Sequence, residues 1–200
     1  MLRAVSGPWR RNETVRRRWA QFLHETASPR PGNAGVSGGS VAVGNGVLTV
    51  DGAMADTSAT YAPGRSLEFV ATFASDPWQH VGFSINMQEP WAIFSTFTGG
   101  ALYARTAVGV THIDTQIPGS WLGAAHRFRI DWTSSGAVYW IDGTQVASHS
   151  IAMTANMRPV VSDATVGGGV LTVDWMWMTP PYVASGTFLS RVLDAGGGLY

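Results

Sequence analysis

Several aromatic and polar side chains between residues 78 and 105 have the types that bind sugars. Sugar rings have apolar C–H faces that stack on aromatic rings, while planar polar side chains bind their hydroxyl groups. Polar residues alternate with Val81, Phe83 and Ile85, which places them on the opposite side of a strand from these apolar side chains. If the strands of this region are neighbours in one sheet, the sequence predicts a carbohydrate-binding patch of Trp78, His80, Ser84, Asn86, Trp91, Tyr103 and Arg105. The alternative is that Trp91 lies in the core and the other side chains are ordinary surface.

The acidic residues show no recognisable catalytic pair. Glycoside hydrolysis requires two carboxyl groups, about 5 Å apart in retaining enzymes. The chain has only four glutamates, at positions 13, 25, 68 and 89, and the segments 80–86 and 91–98 contain no carboxylate. We therefore predict no catalytic residue, although the spacing leaves open an inverting pair of distant aspartates.

Patterns typical of metal and cofactor sites are also absent from the sequence. The lack of cysteine excludes disulfides, thiolate ligands and cysteine nucleophiles. The five histidines have none of the spacings that bind metals, and the glycines at 167–169 lack the Lys-Ser/Thr of a phosphate-binding loop. We predict neither a metal site nor a cofactor.

Charge divides the chain into two parts. Seven of the 13 arginines but only two acidic residues lie in residues 1–30, a net charge of +5, and residues 31–200 carry −5. An acidic body argues against a nucleic-acid partner, because phosphate binding requires clustered basic side chains. No window approaches the roughly 18 apolar residues of a membrane span, and the apolar stretch at 19–23 is too short for a secretory signal. The sequence thus predicts no nucleic-acid partner, no membrane span and no signal peptide in this chain.

Hydrophobic periodicity changes along the chain. Residues 12–25 have helical spacing, which predicts either a basic helix that binds a surface or a short, marginal tail. Proline and glycine between residues 29 and 39 predict a linker. From residue 41 the period is two, with about ten short strands and frequent turn residues. The expected domains are an arginine-rich tail and linker (1–38), a β-sandwich (39–182) and a C-terminal inter-module segment (183–200).

Short strands without crossover helices pair in antiparallel fashion. About ten of them suit two sheets packed face to face, so the predicted fold class is all-β, a two-sheet antiparallel jelly-roll sandwich. Asp142-Gly143 is typical of a two-residue hairpin turn. The expected core side chains are Phe69, Phe83, Phe128, Ile130, Trp132, Val173 and Trp175, and the same alternation assigns Trp177 to the core.

Three segments carry a resemblance to a known superfamily. Residues 126–133 read HRFRIDWT, a pattern H-x-[FY]-x-I-x-W, and are followed by YWIDG at 139–143 and VASH at 146–149. Residues 171–175 read LTVDW. These segments resemble the concanavalin A-like lectin/glucanase superfamily, most closely its laminin-G-like and glycoside-hydrolase-family-16-like members. The resemblance implies a jelly roll in a superfamily of lectins, hydrolases, lyases and adhesive spacers, in which a structural calcium ion is conceivable but not assignable to residues here.

The resemblance also bears on activity and location. Family-16-type hydrolases carry Glu-x-Asp-x-x-Glu on one concave strand, and no glutamate of this chain belongs to such a motif. Residues 185–196 are similar to junctions between modules of large bacterial proteins. The resemblance therefore implies a non-catalytic carbohydrate-binding or adhesion module of a larger secreted or surface protein, with poly- or oligosaccharides and neighbouring β-modules as partners. The alternatives are a family-16-like glycoside hydrolase with replaced carboxylates and a structural spacer without a small ligand.

Overall fold

The computed structural model describes residues 27–31 and 39–179, which contain fourteen β-strands and no helix. Within these ranges no helix therefore has the length and hydropathy needed to cross a membrane. The strands are β1 (Ala27–Pro31), β2 (Ser40–Gly44), β3 (Val47–Asp51), β4 (Ala53–Thr57), β5 (Arg65–Thr72), β6 (Gln79–Ile85), β7 (Gln88–Ser95), β8 (Tyr103–Val108), β9 (Thr111–Gln116), β10 (Ala125–Thr133), β11 (Gly136–Ile141), β12 (Thr144–Ser150), β13 (Arg158–Asp163) and β14 (Leu171–Thr179).

The strands form two seven-stranded antiparallel sheets. Sheet A has the order β1-β4-β13-β6-β7-β8-β9, and sheet B has the order β12-β11-β10-β5-β14-β3-β2. Non-consecutive strands such as β13 and β6 are neighbours, so the chain passes repeatedly between the sheets. The predicted two-sheet antiparallel jelly-roll sandwich is confirmed.

Aromatic side chains join the two sheets. Phe94 of sheet A packs against Phe69 and Phe128 of sheet B, with ring centroids 6.2 and 4.9 Å apart. Phe83 of sheet A packs against Trp132 of sheet B at 5.0 Å. All five side chains are inaccessible to solvent, and each buried ring contributes roughly 1.5–3 kcal/mol. Six of the seven predicted core residues are buried; the exception is Trp175.

A buried polar network ties β8 and β9 to sheet B. The Tyr139 hydroxyl donates to the carbonyl of Arg105 at 2.7 Å and contacts the Thr106 hydroxyl at 2.6 Å. The two ring nitrogens of His149 contact the hydroxyls of Thr106 at 2.8 Å and Thr115 at 2.9 Å. Burial raises the pKa of Tyr139 above its usual range and lowers the pKa of His149, so both groups favour their neutral forms. The network fixes the backbone of β8, which carries part of the candidate site.

A β-bulge in β14 reverses the expected orientation of two tryptophans. The register between β14 and β5 shifts between Val173 and Trp175, so Asp174 is accommodated as an extra residue. Met176 then takes the inward position and is 2% exposed. Trp175 is only half-buried, and Trp177 is 42% exposed. The prediction that Trp175 and Trp177 lie in the core is wrong, because the bulge interrupts the alternation on which it rests.

Three strands lie in segments where the sequence pattern predicts none. β4 and β9 lie in segments without clear apolar alternation. β1 overlaps the start of the predicted linker and pairs with β4 at the edge of sheet A, a position that tolerates its two prolines. The predicted helix at 12–25 and the inter-module segment at 183–200 lie outside the described residues, and the domain boundaries stay predictions.

Asp142-Gly143 forms the predicted two-residue turn between β11 and β12. The φ angles are 50° at Asp142 and 84° at Gly143, as a type I′ turn requires. The Asp142 carboxylate accepts a hydrogen bond from the backbone N–H of Arg127 at 2.9 Å and contacts Nδ1 of His126 at 2.8 Å.

Replacing Gly143 with Val is expected to destabilise the protein by about 1–3 kcal/mol, because a β-branched residue is strained at positive φ. Urea unfolding monitored by tryptophan fluorescence measures the change. Thr144→Val is the matched control, since it places the same side chain at the next position, within β12. Equal unfolding midpoints for the two variants would show that the turn is not strained by a side chain.

Candidate functional site

The candidate site is the side of sheet A that faces away from the core, which we call the sheet A face. Val81 and Phe83 of β6, Ala92 and Phe94 of β7, and Ala104 of β8 point into the core, so the alternate residues point outward. The strand register arranges these outward residues in three rows across β6, β7 and β8: His80–Ser95–Tyr103, Gly82–Ile93–Arg105 and Ser84–Trp91–Ala107.

The structure brings five of the seven predicted site residues together on this face. They are His80, Ser84, Trp91, Tyr103 and Arg105. Trp91 is half-buried on the outward side, not a member of the core. Trp78 lies just before β6 and is 41% exposed. Asn86 lies in the β6–β7 turn with φ 54°, beyond the end of the strand, because the alternation stops at Ile85. Their role in sugar binding stays a prediction.

Three aromatic rings form a continuous cluster at one end of the sheet A face. The Phe97 ring packs edge-on against Trp78 at 5.3 Å and against Tyr103 at 5.5 Å between centroids. Trp78 also lies 6.3 Å from the ring of His80. We call Trp78, Phe97 and Tyr103 the aromatic rim. Trp78 is exposed and the other two are half-buried, so the rim offers ring surface to a ligand.

The backbone of the rim is held in an uncommon conformation. Trp78 and Phe97 have φ of 64° and 47°, a region that bulky residues rarely occupy and that costs of order 1–3 kcal/mol per residue. The N–H of Trp78 donates to the carbonyl of Phe97 at 2.9 Å, and the N–H of Phe97 donates to the Ser95 hydroxyl at 2.8 Å. These bonds maintain the two strained residues beside each other. Strain of this kind is found preferentially at ligand sites.

Arg105 is fixed in place on the sheet A face. Its guanidinium lies 3.8 Å from the centroid of the Phe97 ring. It also donates to both carboxylate oxygens of Asp114, from Nε at 2.7 Å and from Nη2 at 3.2 Å. A bidentate pair and a cation–π contact together fix the guanidinium plane. Arg105 is therefore a preorganised planar donor beside the aromatic rim.

His80 is a neutral polar group on the same face. It is 7% exposed, and its Nδ1 atom has no hydrogen-bond partner. Burial, and secondarily the positive charge of Arg105, lowers the pKa of His80 from its usual 6.5 to about 3. At neutral pH the ring therefore offers one donor and one acceptor without a charge.

Trp91 lies in the third row, beside a separate contact between His112 and Glu89. Its ring packs edge-on against His112 at 5.7 Å, and Nε2 of His112 lies 2.8 Å from a carboxylate oxygen of Glu89. The indole N–H of Trp91 is buried and has no acceptor. An unpaired indole N–H is a donor available to a ligand.

Three charged residues of the sheet A face, Asp56, Asp114 and Arg158, are not predicted from sequence. Asp56 of β4 and Arg158 of β13 both point outward. The distance between Arg158 Nη1 and Asp56 Oδ2 is 3.6 Å. Asp56 lies in the unanticipated strand β4, and Phe97 lies in a loop without alternation. The sequence signal for Asp56 is its two-residue spacing from Met54, which puts both residues on the same side of a strand over Ala53–Thr57. Within the described residues no group of three or more His, Cys, Asp or Glu could hold a metal ion.

Comparisons with known proteins identify solved structures that have a similar fold. Neither a protein-family model nor a curated protein sequence matches the chain. Among solved structures, it is similar to a glycosyl hydrolase family protein from Mycobacterium fortuitum, with a TM-score of 0.58 and 12% identity over 78% of this chain and 92% of that one. A pseudo-β-1,3-glucanase and immunostimulatory antigen of Mycobacterium tuberculosis matches with a TM-score of 0.55 and 14% identity, over 78% of this chain and 92% of that one.

A third solved structure carries a sugar. It is a non-specific endo-β-1,3(4)-glucanase from glycoside hydrolase family 16 with an oligosaccharide at its active site, with a TM-score of 0.54 and 13% identity over 69% of this chain and 75% of that one. The chain has the concanavalin A-like jelly-roll fold. This jelly roll is the one found in family-16 glucanases and pseudo-glucanases. Identities of this size establish the shared fold and no more.

Proposed function

We propose that this jelly roll binds an uncharged polysaccharide of the β-glucan class across the sheet A face and does not hydrolyse it. The observation that carries the proposal is the aromatic rim beside the fixed guanidinium of Arg105. Rings for stacking and planar donors for hydroxyls are the two components that a sugar site requires. The glucanase names of the solved structures with this fold support the choice of a β-glucan.

The charges of the face favour a neutral ligand. Arg105 is paired with Asp114, Glu89 contacts His112, and Arg158 lies beside Asp56. His80 is uncharged at neutral pH. Because Arg105 and Arg158 each lie beside a carboxylate, the described part of the face has no unpaired arginine to attract a polyanion at long range.

The positions of the carboxylates support a non-hydrolytic role. Among the described residues the sheet A face carries Asp56, Glu89 and Asp114, on β4, β7 and β9. The strand of Asp56 is three strands away from that of Glu89 and five strands away from that of Asp114. These separations correspond to about 14 and 24 Å across the sheet. Glu89 and Asp114 each contact a basic side chain instead of each other. A catalytic pair requires carboxyl groups at about 5–10 Å that are accessible to substrate.

The resemblance supports a proposal for the setting of the domain. We propose that it is an adhesion or binding module of a larger bacterial protein, located outside the cell or at its surface. The competing function is glycoside hydrolysis, which the glucanase names of the structural neighbours favour. Assaying reducing-sugar release from laminarin, a soluble β-1,3-glucan, separates the two, since a binding module releases none.

Removing one ring of the aromatic rim is expected to weaken laminarin binding at least tenfold. Trp78→Ala and Tyr103→Ala each delete a stacking surface, and tenfold corresponds to about 1.4 kcal/mol. Affinity electrophoresis in gels containing laminarin measures the retardation. Raising the salt concentration is expected to leave it unchanged, because binding does not depend on charge attraction.

Trp177→Ala is the matched control, because Trp177 is as exposed as Trp78 but lies on β14 of sheet B. Equal retardation of all three variants and the unaltered protein would contradict the proposed site. Absence of retardation for the unaltered protein would contradict the function and favour a structural spacer.

A further inference from the structure

Unsatisfied polar atoms are concentrated on the sheet A face. Within the described residues, six buried side-chain nitrogen or oxygen atoms lack a hydrogen-bond partner. Five of them lie on this face: both carboxylate oxygens of Asp56, Nδ1 of His80, Nε1 of Trp91 and Nε of Arg158. Buried polar groups are almost always paired, and an unpaired one costs about 1–3 kcal/mol. The concentration on one face indicates groups that are arranged for a ligand.

Asp56 and Arg158 form the most polar part of this set. Asp56 is 2% exposed, and the side chain of Arg158 is 15% exposed. The 3.6 Å between Arg158 Nη1 and Asp56 Oδ2 is too long for a hydrogen bond. The pair therefore balances charge but leaves two acceptors and one donor unsatisfied.

The strand register places this pair next to other polar groups. Asp56 is opposite Val160 of β13, two residues from Arg158. Arg158 is opposite Ser84, which is opposite Trp91, so Arg158 and Trp91 lie in one row across three strands. Two strand spacings separate them by about 10 Å.

We propose that Asp56 and Arg158 form a subsite that binds a pair of adjacent hydroxyl groups of a neutral sugar, which a β-1,3-glucan carries in its non-reducing terminal unit. Each carboxylate oxygen of Asp56 accepts from one hydroxyl, and Arg158 donates Nε–H to a hydroxyl oxygen. The Asp56 carboxylate repels anionic ligands, and the Arg158 guanidinium repels cations. A vicinal diol, which is uncharged and supplies both donors and acceptors, satisfies all three atoms.

The inference rests on the proposed function and adds a second anchor to it. The aromatic rim is on β8 and the loops beside β6 and β7, whereas Asp56 and Arg158 are on β4 and β13. A chain of several sugar units is needed to contact both. Because Asp56 is 2% exposed and the Arg158 side chain is 15% exposed, side chains around the pair must shift for a sugar to reach it.

The test is a nuclear magnetic resonance titration of the full chain with laminarin. We expect the Arg158 Nε–H and Trp78 indole resonances to shift together as laminarin is added. The double variant Asp56→Asn/Arg158→Gln, which removes both charges at once, is expected to bind laminarin at least tenfold more weakly. Asp131→Asn is the control, because Asp131 pairs with Arg129 at 3.1 Å on sheet B.

Each other outcome overturns a defined part of the proposal. A shift of Trp78 without Arg158, together with unchanged affinity of the double variant, overturns the diol subsite and leaves the binding function intact. A shift of neither resonance overturns both. If the double variant does not fold, the two resonances of the unaltered protein still decide between these outcomes.

Discussion

Acidification is expected to destabilise this protein by about 4–5 kcal/mol through His80 alone. The pKa of His80 is about 3 in the folded state and 6.5 in a solvent-exposed chain. Below pH 6.5 the unfolded chain therefore binds a proton that the folded chain does not. The contribution of His80 to the free energy of unfolding is fully present above pH 6.5. It falls by up to about 1.4 kcal/mol per pH unit between pH 6.5 and pH 3. His149, whose pKa burial also lowers, adds a contribution of the same sign.

Urea unfolding at a series of pH values measures this effect. In His80→Asn the loss of stability between pH 6.5 and pH 3 is expected to be smaller by most of the 4–5 kcal/mol. His112→Asn is the control, because the side chain of His112 is 42% exposed. Parallel pH profiles for the unaltered protein and His80→Asn would show that His80 is not held in its neutral form.

Gly82→Ala is expected to destabilise the sandwich by about 3 kcal/mol or more, at the upper end of the range for overpacking. Gly82 lies in the middle row of the sheet A face, opposite Ile93. A Cβ atom at this position would overlap the Ala92 carbonyl oxygen and lie 2.7 Å from the Ile93 Cα. Because these are backbone atoms of a paired strand, a rotamer change does not relieve the clash.

Gly44→Ala provides the comparison for Gly82→Ala in thermal and urea unfolding. Gly44 is also a strand residue, but a Cβ atom there meets nothing within 4 Å. We expect Gly44→Ala to unfold at the same midpoint as the unaltered protein. Equal stability of the two variants would mean that β6 and β7 are not packed as described.

The fold was predictable because most strands alternate without interruption. Phe69, Phe128 and Trp132 lie within such alternating segments, and all three are buried. Trp175 and Trp177 were misassigned because the bulge at Asp174 leaves no mark in the order of apolar and polar residues. β4 is not predicted from the sequence because four of its five side chains are small. All five are buried, so the two sides of the strand differ little in burial.

The site was predictable only where its residues lie on regular strands. His80, Ser84 and Arg105 were placed correctly because alternation defines the side of the sheet on which each side chain lies. Phe97 joins the site through a positive φ in a loop, which sequence periodicity does not report. Asp56 reaches the face because β4 pairs with β13, about a hundred residues later in the chain. Such long-range pairings are properties of the folded topology.

The most direct test of glycan binding without hydrolysis is a crystal structure of the protein soaked with a short, soluble β-1,3-gluco-oligosaccharide. The proposed function predicts an intact oligosaccharide across the sheet A face, with one ring stacked on Trp78, Phe97 or Tyr103 and hydroxyl groups near Arg105. A cleaved oligosaccharide on this face would contradict the absence of hydrolysis. An oligosaccharide bound only elsewhere, or none bound while the face is open to solvent in the crystal, would contradict the proposed site.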